Sequence, residues 1–193
     1  MRSILTATAV LALAACGSAD ETASDTSAAT LNPGAPLDSA AIGQATAGGA
    51  TAVLRDSAGR ELGTVTLADA SGGIAVSGTL RGVAPGTYGF HLHTVGQCEP
   101  AFDAAGGHWN PTNAQHGTEN PQGPHFGDMP NVTAGADSTV AIQATTPGGT
   151  LRGENALLDA DGAAVMLHAG TDDYRSDPTG DAGGRMACGA VQG

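Results

Sequence analysis

Lysine is missing altogether, and aromatic residues are scarce: one Trp, two Tyr and three Phe in 193 residues. Seven Arg stand against nineteen Asp and Glu, leaving a net charge of −12. So acidic a surface excludes nucleic acid and anionic lipid as partners held by charge. With few rings available, a core has to be assembled from Val, Leu, Ile and Ala. Long helical patterns are also missing, whereas the 30 Gly imply many tight turns. No repeat is visible at a period of about 20 to 50 residues. The length suits one domain of ordinary size with extra segments.

Those extra segments lie at the N-terminus. Arg2 followed by the short apolar run Ile4–Ala15 reads as a secretion signal, being too short to span a bilayer. The run ends Leu13-Ala14-Ala15-Cys16, which resembles the lipobox of bacterial lipoproteins, where the Cys is lipidated and becomes the mature N-terminus. Ordinary cleavage near Ala15 is the alternative. We expect a lipoprotein-type signal over residues 1–15 and a lipid on Cys16 as the sole link to a membrane. With Gly17 and not Asp following, the expected location is periplasmic, anchored to the outer membrane. Residues 16–40 carry scarcely any large apolar side chain and cannot offset ordering entropy, so they read as a flexible tether. The folded domain is expected over 41–193. Of three Cys, Cys98 and Cys188 then remain as an even pair in an exported protein, where disulfides persist. Two free thiols are the other possibility.

Within that domain, short β-prone runs recur between turn signals. They are Ala50–Arg55, Glu61–Leu67, Ile74–Arg81, Thr87–Val95, Asn131–Ala134, Thr139–Thr145, Ala164–His168 and Arg185–Val191. Eight short strands at this spacing predict an all-β antiparallel sandwich or barrel. Residues 96–130 and 169–184 break the rhythm, being rich in Gly, Pro, Asn and Asp. Loops of that length are uncommon unless something functional orders them.

The six histidines fall in or beside those loops. In a strand, His91 and His93 project from one face while Phe90 and Leu92 face the other way. Two imidazoles so placed are preorganised to grip one ion. His108, His116, His125 and Asp128 follow with the spacing H-x7-H-x8-H-x2-D, which matches neither helix nor strand. Three imidazoles and one carboxylate suit a closed tetrahedral zinc site. His168 ends an apolar strand and by itself could be a core histidine with a satisfied hydrogen bond. All six, however, fit a single two-metal assembly.

Gly89-Phe90-His91-Leu92-His93 resembles the first signature of copper/zinc superoxide dismutase. Gly107-His108-Trp109-Asn110-Pro111, the spacing through Asp128, and Gly183-Gly184-Arg185-Met186-Ala187-Cys188-Gly189 resemble the later ones. Trp109 stands where Phe is commoner, a conservative change. The resemblance implies an eight-stranded Greek-key β-barrel with a long metal-binding loop and a second active-site loop. It implies that superoxide is dismuted to O2 and H2O2, with one copper and one zinc per subunit. Copper would be held by His91, His93, His108 and His168, and zinc by His108, His116, His125 and Asp128, with His108 bridging the two. His108 and Arg185 would be the catalytic residues, the first handling a proton and the second attracting the anion. Asp172 would link non-bridging ligands of the two metals, Cys98–Cys188 would be a disulfide, and Thr179 would narrow the channel. Arg175 reads as a solvated loop charge. Monomer and homodimer both stay open.

Two other classes compete. The His91/His93 strand is also similar to the zinc strand of α-type carbonic anhydrases, but Gln115-His116-Gly117 reads as a loop and most other ligands would be left over. A metal-buffering lipoprotein that has lost catalysis is the second. Such losses show as missing ligands or a missing Arg, and none is missing here.

Overall fold

A computed structural model of the chain describes residues 48–193. The signal, Cys16, the tether and the expected domain start at 41 lie outside the described residues. Among the described residues nine strands form: β1 (Ala50–Asp56), β2 (Glu61–Ala70), β3 (Gly73–Arg81), β4 (Gly86–Tyr88), β5 (Phe90–His93), β6 (Val132–Ala134), β7 (Thr139–Thr145), β8 (Ala164–His168) and β9 (Arg185–Gln192). All pair antiparallel in one sheet ordered β4-β6-β7-β3-β2-β1-β9-β8-β5. The two end strands, β4 and β5, follow one another in the chain, so the sheet curls into a nearly closed barrel. From β3 the chain crosses to β4 and β5, then returns as β6 and β7 beside β3, the over-crossing of a Greek key.

The ninth strand arises because the expected run Thr87–Val95 is broken at Gly89. Gly89 N–H donates to Gly170 O (2.8 Å), and its carbonyl accepts from His168 N–H (2.9 Å). Both partners belong to the end of β8 and the loop after it, so at this residue the backbone leaves one pairing and enters another. A Cβ on Gly89 would crowd Ala182 Cβ at 2.8 Å.

Strand alternation fills the barrel. Val65 and Leu67 point inward from β2, and Val76 and Leu80 from β3. Leu62 is also buried, although it is out of phase with Val65. A bulge explains it: Leu54 pairs with Gly63 and Arg55 with Glu61, leaving Leu62 as the extra residue. Phe90 and Leu92 lie fully inside the core, each stabilising the fold by about 2 to 3 kcal/mol. Trp109 packs edge-on against Phe126, ring centroids 5.5 Å apart. The space it fills exists because Gly149 lacks a side chain: a Cβ there would overlap the indole. The large indole is thus matched by a glycine opposite.

Candidate metal centre

Strand β5 carries His91 and His93 on the face opposite Phe90 and Leu92, and all four are buried. Pairing with β8 brings His168, the last residue of that strand, alongside. On the other side of β5 the long loop passes twice. Trp109 N–H donates to Leu92 O (2.8 Å) and Thr94 N–H to Gly107 O (3.0 Å), which sets His108 opposite His93. Leu92 N–H then donates to Gly127 O (3.0 Å), which sets Asp128 opposite His91. Main-chain pairing to one four-residue strand therefore brings three further polar side chains, His108, Asp128 and His168, beside His91 and His93.

His91, His93, His108 and His168 form the first cluster, with one nitrogen of each lying within 4.8 Å of the others. His93 Nε2 and His168 Nε2 face each other at 3.4 Å. The outward nitrogens are anchored: His91 Nε2 on Asp172 Oδ2 (2.6 Å), His93 Nδ1 on Gly106 O (2.9 Å) and His168 Nδ1 on Gly183 O (3.3 Å). Two inward nitrogens, His91 Nδ1 and His108 Nε2, are buried without any hydrogen-bond partner. Unsatisfied buried polar atoms are costly and call for an explanation. An ion at this point would supply the missing partner. Burial holds His91 below its usual pKa, lowers His108 and His168 to about 4, and takes His93 to about 2. These imidazoles are neutral at neutral pH, the form in which they ligate metals.

The second cluster is His108, His116, His125 and Asp128. Here three ring nitrogens converge on one oxygen: Asp128 Oδ1 lies 2.9 Å from His108 Nδ1, 3.0 Å from His116 Nδ1 and 3.2 Å from His125 Nδ1. A single carboxylate oxygen offers too few lone pairs for three good hydrogen bonds, whereas one cation could take all four groups as ligands. The other oxygen, Oδ2, accepts the N–H groups of Gly117 (2.9 Å) and His125 (3.0 Å). Burial opposes ionisation of Asp128, but its histidine partners and these N–H groups hold it well below the usual carboxylate range. Burial likewise opposes charge on His116, yet hydrogen bonds to Asp128 and Asp172 raise it to about 9. Without a metal, His116 is protonated at neutral pH, and a cation binding there displaces that proton. His108 belongs to both clusters, through Nδ1 to one and Nε2 to the other.

Asp172 lies between them, with Oδ2 on His91 and Oδ1 on His116 Nε2 (3.0 Å). Arg185 opens β9, and its guanidinium is fixed by two carbonyls, Phe102 O and Gly106 O, each at 2.6 Å. Gly106 O also accepts from His93, which places the positive charge beside the first cluster. Arg175 pairs with Glu119 on the exposed loop surface, as expected for a solvated charge. Thr179 is half-buried in the second loop. Cys98 and Cys188 are disulfide-bonded.

Several residues that shape the site had no signal in the sequence. Asn131 pairs with the Asp172 main chain in both directions, Nδ2 to O (2.8 Å) and Oδ1 to N–H (2.9 Å). The Tyr174 hydroxyl accepts Asn131 N–H (2.8 Å). Asp177 Oδ1 accepts the His116 N–H (2.6 Å). Asn and Asp are common throughout these loops, and no spacing distinguishes these particular ones.

Comparison with known proteins adds to this geometry. The family model for copper/zinc superoxide dismutase (SODC) matches residues 61–191. Copper-zinc superoxide dismutase 2 of Aquifex aeolicus is 40% identical over 147 residues, covering 74% of this chain and 86% of that protein. The copper-zinc superoxide dismutase of Caulobacter vibrioides is 38% identical over 148 residues, covering 74% and 85%. Among solved structures, a SOD-like protein from Bacillus subtilis matches with a TM-score of 0.69 and 35% identity, over 72% of this chain and 96% of that one. The Cu/Zn superoxide dismutase from Brucella abortus matches with a TM-score of 0.60 and 30% identity, over 74% and 98%.

Proposed function

The chain belongs to the copper/zinc superoxide dismutase family, and from that premise we propose how its own residues divide the work. His91, His93, His108 and His168 hold copper; His108, His116, His125 and Asp128 hold zinc. The observation that carries this assignment is the pair of orphaned buried nitrogens, His91 Nδ1 and His108 Nε2, aimed into a cluster of neutral imidazoles. The chemistry of the donors agrees with it. Imidazoles suit both oxidation states of copper, and a closed set of three histidines and a carboxylate suits structural zinc. Bound copper supplies a one-electron couple that turns two superoxide ions and two protons into O2 and H2O2, beside a redox-inert zinc.

The protein residues supply the rest. Arg185 draws the anion in and orients it, since its guanidinium sits beside His93 with its direction fixed by two carbonyls. Local field within a cleft, not net charge, governs such steering, so the acidic surface is no obstacle. His108 Nε2 is the atom at which a proton can be held and passed to the reduced anion. Asp172 keeps His91 and His116 aimed, and so couples the two sets. Thr179 narrows the approach. On the same reading, residues 1–15 direct export, Cys16 carries lipid, 16–40 tether the domain, and the 41–193 domain works in the periplasm, an oxidising compartment in which the Cys98–Cys188 disulfide persists.

The test is metal content measured together with direct superoxide decay, before and after chelation. One copper and one zinc per chain with fast decay, lost on chelation, is the expected result. Full occupancy without accelerated decay would instead establish a metal buffer. Arg185→Glu is expected to lower the superoxide rate about tenfold or more while both metals stay bound. An unchanged rate removes Arg185 from the mechanism.

A further inference from the structure

Each ring nitrogen that faces away from the metal positions has a partner, with one exception. His91 and His116 reach Asp172, His93 reaches Gly106 O and His168 reaches Gly183 O, while His108 has no outward nitrogen because both of its nitrogens face the clusters. The exception is His125, whose Nδ1 faces Asp128. Its Nε2 makes no hydrogen bond, but Asp177 Oδ1 lies 3.8 Å away. That same oxygen accepts the main-chain N–H of His116 at 2.6 Å. One carboxylate from the second loop therefore touches one zinc-set histidine through its backbone and faces the ring of another.

We infer that Asp177 is a positioning residue of the zinc set, closing its outward side as Asp172 closes the side towards copper. The inference rests on the zinc reading given above. Histidine ligands are oriented by whatever their second nitrogen contacts, and carboxylates are frequent partners there. At 3.8 Å the pair is within reach of attraction between a polarised ring N–H and a carboxylate, or of one bridging water. Ligation of a cation through Nδ1 makes Nε2–H more positive and strengthens this attraction. The segment that carries Asp177 is also held in place. Glu119 N–H donates to Tyr174 O (3.0 Å), Asn120 Nδ2 to Arg175 O (3.3 Å), and Arg175 pairs with Glu119. Two loops of separate origin are thereby joined across the zinc set, with Asp177 at the join. Neither His116 nor His125 lies in a strand, and of the two only His125 lacks a hydrogen bond at its outward nitrogen.

The experiment compares zinc release from the copper- and zinc-loaded protein into a colorimetric chelator for wild type, Asp177→Ala and Asp177→Asn. Asp177→Ala is expected to release zinc about tenfold faster. Asp177→Asn keeps an acceptor for His116 N–H but loses the charge facing His125, so its rate should fall between the two. The melting temperature of metal-free Asp177→Asn, which keeps an acceptor for His116 N–H, and its visible copper spectrum should not move, because neither depends on the charge facing the His125 ring. Cobalt placed in the zinc set should show an altered visible spectrum in Asp177→Ala. Zinc release at the wild-type rate in both variants overturns the inference, as does faster release from Asp177→Asn accompanied by an equal loss of its metal-free stability. A wild-type protein that takes up no zinc would instead overturn the underlying site assignment, and this inference with it.

Discussion

Gly180→Ala is expected to weaken zinc binding about 100-fold. Gly180 has φ +64°, a left-handed conformation that an L side chain adopts only at a penalty. The larger effect is steric. A Cβ there would overlap Asp172 Oδ1 and stand 2.5 Å from His116 Nε2, so it falls on the contact that links the two histidine sets. Asp172 cannot step aside, since Asn131 holds its main chain from both sides and Tyr174 N–H binds Oδ1 at 2.6 Å. Either the carboxylate leaves His116 or the second loop lifts away. Competitive zinc titration reads the outcome directly. Zinc affinity within about threefold of wild type, against the 10- to 100-fold typical of losing such a partner, would show that the loop can yield.

Replacing both Cys98 and Cys188 by Ser should remove a large share of the stability of the domain. The bond closes a loop with a sequence separation of 90, for which the chain-entropy model gives about 4.6 kcal/mol. Domains of this size are stable by only about 5 to 15 kcal/mol, so the metal-free double variant would be marginal. There is a local effect as well. The bond ties the start of the metal-binding loop to β9, and the next few residues of that loop supply Phe102 O and Gly106 O, the two carbonyls that fix Arg185. The metal-loaded variant should therefore also lose superoxide rate. Urea unfolding of the metal-free protein, oxidised against variant, measures the first effect. A difference below about 1 kcal/mol would mean that the unfolded chain keeps these segments together without the bond.

Legibility in the sequence followed the range over which each feature is determined. Thr139–Thr145 and Ala164–His168 could be bounded from the sequence because period-two patterning or a continuous apolar run marks each strand locally. The break at Gly89 could not, because His168 and Gly170, about eighty residues away, decide it. Nor could the bulge at Leu62, which depends on how β1 meets β2. The two histidine clusters were legible in outline because histidine is rare in this chain and its chemistry restricts what six of them can do together. Their internal arrangement was not. His108 stands opposite His93, and Asp128 opposite His91, because single residues of an aperiodic loop pair with β5. Such pairings leave no period to detect. Asp177, Asn131 and Gly180 are of residue types so frequent in these loops that only their coordinates distinguish them.

The loop that runs along β5 has a further consequence. By occupying Leu92 N–H and its carbonyl, it caps what would otherwise be an exposed strand edge, and unpaired edges are templates for another chain. On the assignment proposed above, His108 and Asp128, which stand in this cap, would both be zinc ligands. Losing metal would then do more than remove activity: it would loosen the loop over Phe90–His93 and leave that edge more open to a second copy of the chain. On that assignment, protection of this edge would depend in part on the metal the loop holds.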